Sequence, residues 1–175
     1  TPIDNTDDGA DDGGFENTFT EADGTNFLNV TDTDAAVNDL DSTLIQQMTV
    51  DITGLTNITQ DGAEQISIGG QVFELEDAGL ATVTIGGTNF FIQYTPEVAN
   101  EAGQLTITAT PPAPGGAETD FSTLLQTLQY QNTSQDPVDG DRQFDFTATD
   151  IEGATSNSVT SLITVVHVND PPFVA

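Results

Sequence analysis

Apolar and polar side chains alternate along most of the chain after Phe19. In "QMTVDIT" (47–53) Met48, Val50 and Ile52 alternate with Thr49, Asp51 and Thr53, and "ATVTI" (81–85) repeats the pattern. "TNFFIQY" (88–94) and "QLTITAT" (104–110) follow. "RQFDFTATD" (142–150) sets Phe144, Phe146 and Ala148 against Asp145, Thr147 and Thr149, and "NSVTSLITVVHV" (157–168) reads as a long last strand. A period of two marks strands with one face in a core and one in water. Turn signals separate them at Gly54, Gly69-Gly70, Gly86-Gly87, Pro111-Pro112, Gly115-Gly116, Asp139-Gly140 and Gly153. Short strands punctuated at this spacing predict an all-β chain, an antiparallel β-sandwich.

Two segments depart from that period. "DFSTLLQTLQY" (120–130) places Phe121, Leu124, Leu125 and Leu128 at helical spacing. One short helix is expected near 120–128, laid over an end of the sandwich, with Thr119 or Asp120 as its N-cap. Residues 1–18, "TPIDNTDDGADDGGFENT", are rich in Asp and Gly and poor in apolar side chains. They read as an acidic linker, leaving 19–175 as one domain with no strong internal repeat. An EF-hand loop fails there. From Asp8 the third and twelfth positions are Ala10 and Phe19, and from Asp4 they are Thr6 and Phe15.

Charge changes the picture more than any other bulk property. Among 175 residues, 29 Asp and Glu face a single Lys or Arg, for a formal net charge of −28. Contacts to phosphate need Lys and Arg, so neither nucleic acid nor an anionic membrane surface is an expected partner. A compact body carrying this charge repels itself and needs offsetting cations. Two readings meet that need: a Ca²⁺-binding extracellular protein, or a halophile surface with no specific ion sites. There is no Cys, which excludes disulfides and thiolate metal sites. No stretch reaches the ~18 apolar residues of a membrane helix. No signal peptide is visible, and the chain is expected to be a segment of a larger protein.

The acids concentrate where strands are expected to end. Glu21 and Asp23 follow Phe19, Asp39 and Asp41 precede a strand, Asp150 and Glu152 follow the Phe-rich strand, and Asn169 and Asp170 follow the last one. Ca²⁺ takes six to eight oxygen ligands, and two acids two residues apart in a loop can reach one ion together. Gly153 after Glu152 permits a sharp turn, and Pro171 biases Asp170 towards an extended conformation. No His or Cys cluster competes, so Zn²⁺ and Cu²⁺ are poor candidates. For any one of these acids, local capping of a turn is the better explanation; for Asp150, Glu152, Asn169 and Asp170 taken together, metal binding is.

At these residues the chain resembles a known family. "FTATDIEGATSNSVTSLITVVHVNDPP" resembles the end of a cadherin-like repeat of giant bacterial surface proteins, among them the type I-secreted RTX adhesins. "LLQTLQYQNTSQDPVDGDRQFDFTATD" is similar to the middle of such repeats, and "DLDSTLIQQMTVDITGL" and "FTEADG" to their opening. The resemblance covers roughly residues 19–173 and implies an Ig-like sandwich holding Ca²⁺ near the junctions between successive domains. It implies Glu21, Asp39 and Asp41 as acidic ligands near one pole, Asp150 and Glu152 as the D-x-D-G-like loop, and Asn169 and Asp170 as the terminal N-D-x-P. Asp141-Arg142-Gln143 has Gln where the acidic D-R-E turn of animal cadherins has Glu, so Asp141 is a weak match.

The remaining residues offer little chemistry. His167, the one His, lies among valines and reads as a core or sheet-surface side chain, and no catalytic site is expected. Arg142, the one cation, is expected beside an acid as a structural pair. Trp is absent, which weakens a sugar-stacking platform. The expectation is a monomeric, Ca²⁺-stabilised spacer of a bacterial cell-surface adhesin, extracellular, with neighbouring domains of the same chain as its partners. The alternative is a ligand-binding domain of the same kind of adhesin, taking a host or surface peptide or glycan on loops from 55–119.

Overall fold

The computed structural model describes residues 3–4, 14–21, 26–55, 63–98, 102–110 and 115–169. Its elements in chain order are β1 (Ile3–Asp4), β2 (Glu16–Thr20), β3 (Leu28–Asn29), β4 (Ala36–Val37), β5 (Leu44–Thr53), β6 (Glu64–Ile68), β7 (Gln71–Glu74) and β8 (Gly79–Ile85). There follow β9 (Thr88–Thr95), β10 (Gly103–Ala109), β11 (Gly116–Ala117), α1 (Glu118–Leu125), β12 (Gln129–Asn132), β13 (Gly140–Asp150) and β14 (Val159–Val166). The chain is mostly β, as its alternation predicts.

One sheet runs in the order β2-β14-β13-β5-β10-β9-β8, with β11 attached to β5. A second runs β3-β12-β6-β7, and β1 pairs with β4. Every pairing is antiparallel except β2 on β14, where Val166 lies beside Thr20 in a parallel register. A parallel pair needs a long connection, and here most of the chain supplies it. β2 opens at Glu16, within the stretch read as linker, and residues 5–13 lie outside the described residues.

Alternation sets what is buried. On β13 it turns Phe144, Phe146 and Ala148 inward, and the same parity turns Arg142 and Asp150 inward at the two ends of the strand. On β5 Ile45 and Met48 are both buried although three residues apart. The ladder to β13 slips there, with Thr149 facing Gln47 and Asp150 facing Ile45, so Gln46 is an extra residue that resets the phase.

The two larger sheets share one hydrophobic core. Tyr130 of β12 stands edge-on to Phe19 of β2 at 5.8 Å and to Phe144 of β13 at 6.3 Å. Such contacts add about 0.5–1.5 kcal/mol each beyond the area they bury. The helix spans 118–125 rather than 120–128, and its Phe121, Leu124 and Leu125 are buried. Phe121 meets Phe90 of β9 edge-on at 4.8 Å. The N-cap is Ala117, without a side-chain cap. Asp120 serves elsewhere: its Oδ2 accepts from the Thr88 hydroxyl at 2.7 Å and from the Gly87 N–H at 3.2 Å. It ties the helix to the β8–β9 turn.

Candidate metal-binding poles

The strand register sorts the predicted ligands between two opposite ends of the large sheet. Gly140 at the start of β13 faces Val165 near the end of β14, and β2 ends alongside. The first pole therefore gathers the residues after β2, after β14 and before β13. At the far end of β13 Asp150 faces Ile45, near the start of β5. The second pole gathers the residues before β5 and after β13.

At the first pole Glu21 is nearly buried, its side chain 6% exposed. Its Oε2 accepts the Val168 N–H at 2.8 Å and lies 3.7 Å from His167 Nε2. Asp136 Oδ1 lies 3.5 Å from the same His nitrogen, and Asp139 Oδ1 accepts the His167 N–H at 2.5 Å. Asn169 follows two residues on, and Asp170 lies outside the described residues. β14 ends at Val166, so His167 stands just past the strand and is a surface side chain between two carboxylates.

At the second pole Asp150 is 4% exposed. Its N–H donates to Ala154 O at 3.0 Å, and its Oδ1 accepts the Ala154 N–H at 2.9 Å. The Gly153 N–H donates to Asp150 O at 3.3 Å, and Gly153 sits at φ +91°, a conformation natural to Gly. The acid thus closes its own turn, while Glu152 beside it is exposed. Asp39 Oδ1 accepts the Asp41 N–H at 3.4 Å, and the Asp39 N–H donates to Glu118 Oε1.

This sorting corrects the expected grouping. Glu21 does not share a pole with Asp39 and Asp41. Asp150 and Glu152 lie at the opposite end from Asn169, because the 11 residues of β13 separate them, a span of roughly 30 Å. Asp136 and Asp139 join Glu21 although neither was a sequence candidate. The signal for them was present: a loop entering β13 must meet the chain leaving β14 if the two strands form an antiparallel pair. Among the described residues, no group of three or more His, Cys, Asp or Glu side chains is arranged to hold a metal ion.

Two further charged arrangements stand out. Arg142 is fully buried against Glu64, with Nη2 and Nε at 2.6 and 2.9 Å from Glu64 Oε1. Nη1 donates to Gly140 O and Nη2 to Val138 O, both at 3.0 Å, and Asn132 Nδ2 donates to Glu64 Oε1 at 3.2 Å. The expected structural pair is present, and it joins β13 of one sheet to β6 and β12 of the other. On the outer face Asp145 lies directly opposite Asp51. Like charges so placed repel, and neutral donors relieve them: Gln104 to Asp51 at 2.8 Å, and Gln143 and Thr160 to Asp145 at 2.8 and 2.5 Å.

Both tyrosines are buried, and burial raises both hydroxyl pKa values far above the usual range. Glu97 and then Glu64 push Tyr94 further, and Glu64 pushes Tyr130 while Arg142 partly offsets it. Among the described residues no helix is long and apolar enough to cross a membrane. No family model, curated protein or solved structure matches the chain.

Proposed function

We propose that this chain is a Ca²⁺-stabilised structural domain, a spacer in a large bacterial cell-surface adhesin, built as a cadherin-like, Ig-like β-sandwich. One observation carries the reading. The only Lys or Arg in the chain is fully buried and spent on Glu64, so the surface acids have no Lys or Arg to pair with. A body with a formal charge of −28 then depends on cations from solution. A core shared between two β-sheets supports the sandwich.

The donors fit Ca²⁺ by kind, being carboxylate and amide oxygens at strand ends. Glu21 and Asn169, with Asp170, would serve the first pole, and Asp39, Asp41, Asp150 and Glu152 the second. The described donors do not by themselves make a closed site, and a neighbouring domain of the same chain would have to complete the coordination. Bound Ca²⁺ would supply the positive charge that these loops lack. The residues themselves already fix the loops: Glu21 holds Val168 and Asp150 holds Ala154.

Binding to the folded state alone adds about 2.7 kcal/mol at 100 times Kd. For a chain of this size that raises the melting temperature by roughly 5–10 °C. Thermal melting in EDTA, then in ~1–5 mM CaCl₂, with MgCl₂ and NaCl as controls, tests it. A rise specific to Ca²⁺ is expected. An equal response to all three salts would mean charge screening alone and would overturn the reading.

A further inference from the structure

β8 is the last strand of the eight-stranded sheet and pairs with β9 on one side only. Among the described residues, no backbone hydrogen bond reaches its other side. The register shows which groups are left over. β8 and β9 join through Gly86-Gly87, with Ile85 facing Thr88. In a two-residue hairpin that closing pair is the bonded one, and bonded pairs alternate along the ladder. Ala81, Val83 and Ile85 therefore bond to β9, and Leu80, Thr82 and Thr84 aim their N–H and C=O groups outward.

Exposed sheet edges are normally blunted by charge, Pro, a bulge or short length. The other edges of the two sheets follow that rule. β2 carries Glu16, β7 has four residues ending in Glu74, and β3 has two residues. β8, "GLATVTI", has seven residues in unbroken register, with no charge and no Pro. In a chain with 29 acids this edge has none.

A groove of about 370 Å³ opens at the N-terminal end of β8, between the edges of the two sheets. Its apolar lining includes Val72 and Leu80, 53% and 67% exposed, and Phe73. Glu74 and Asp77 supply its charge. We propose that β8 takes up an extended peptide segment of a partner protein as an added strand. Its apolar side chains would lie over Val72 and Leu80, and its Lys or Arg against Glu74 and Asp77. Main-chain bonds to an open edge supply affinity in this mode of recognition, and alternate side chains supply specificity. Charge selects the occupant. A second copy brings its own Glu74 and Asp77 and another net −28, with no surface Lys or Arg to answer them. A cationic strand meets opposite charge. The proposal rests on β8 and β7 alone and not on Ca²⁺.

The probe is a labelled peptide of about seven residues, alternating Val and Thr between terminal lysines, titrated by fluorescence anisotropy in EDTA. Saturable binding is expected, at least tenfold weaker when the lysines are replaced by Glu. NMR hydrogen exchange should slow at the Leu80, Thr82 and Thr84 amides and not at Ala81 or Val83. Thr82→Pro removes an outward N–H and should abolish binding. Leu80→Lys leaves the backbone intact, is checked for fold by circular dichroism, and should weaken binding at least tenfold. No saturation by about 1 mM peptide, equal binding of the Glu-ended peptide, or unchanged binding to Leu80→Lys would overturn the proposal. Sedimentation showing a dimer that Leu80→Lys abolishes would also overturn it, in favour of a second copy as occupant.

Discussion

Replacing Arg142 with Met takes the one guanidinium out of the core and leaves the Glu64 carboxylate behind. Four hydrogen bonds go with it: two to Glu64 Oε1 at 2.6 and 2.9 Å, and one each to Gly140 O and Val138 O at 3.0 Å. Both side chains of the ion pair are at most 1% exposed, so water does not replace the lost donor. Asn132 Nδ2, at 3.2 Å, remains as a donor to Glu64, but a neutral amide does not balance a buried charge. Removing one partner of a buried ion pair costs about 3–5 kcal/mol. That is a large share of a typical total stability of about 5–15 kcal/mol, and it corresponds to a fall in melting temperature of roughly 6–20 °C.

The cost comes from the stranded charge, so removing the charge as well should recover much of it. Arg142→Met with Glu64→Gln is expected within about 1–2 kcal/mol of the parent, because replacing both charges of such a pair is often near neutral. Urea unfolding followed by circular dichroism and tyrosine fluorescence gives both values, with the slope m unchanged if only the folded state is affected. A loss below about 1 kcal/mol for Arg142→Met, or a double variant as unstable as the single, would refute the argument that this pair joins the sheets at the cost of a buried charge.

Three further outcomes are expected. Tyr94 and Tyr130 ionise more easily in the unfolded chain than in the fold, so the stability from keeping them neutral is complete below about pH 10 and is lost as pH rises further, by up to about 1.4 kcal/mol per pH unit for each. Absorbance at 295 nm should show both ionising together with the loss of the β signal, and ionisation of either with the fold intact would refute this. Asp120→Ala removes the acceptor for Gly87 and Thr88 and should cost about 1–2 kcal/mol in urea unfolding; no loss would mean that this tie contributes nothing. In EDTA, Asp150→Ala should cost about 1–2 kcal/mol through its turn, and exposed Glu152→Ala nothing measurable. In CaCl₂, Glu152→Ala should shrink the Ca²⁺-dependent rise in melting temperature, and an undiminished rise would remove Glu152 from the ligands.

Much of the β structure was legible because a period of two needs only local information. The alternation of β5, β9, β10, β13 and β14 placed those strands to within about three residues at either end. The same rule carries further than a list of apolar positions. Arg142 has the parity of Phe144 and Phe146, and Glu64 that of Ile66 and Ile68, so both charges of the buried pair point inward by count alone. β12, four residues long, sits directly behind a helical pattern, and its "QYQN" has no apolar alternation to mark it. The helix lost its last turn because Gln129 leaves to pair with Ser67 and Asn29. Leu128 stays buried without being helical.

The sites were less legible because a site depends on which strand ends meet, and that is a matter of pairing. Spacing along the chain brings Asp150 near Glu152, and the fold agrees. It carries no information that β2 would pair parallel to β14, which brings Glu21 beside His167 and puts it at the opposite end from Asp39. Asp136 and Asp139 enter the first pole by the same route, since both precede β13, whose first residue faces Val165. Pairing also exposes what composition hides. Counted along the chain, acids are everywhere. Placed on the fold, they leave one seven-residue edge, β8, with no charge at all. The net −28 discourages like molecules from pairing there. An edge kept open under that repulsion is selective by charge: it excludes its own copies and admits a cationic strand.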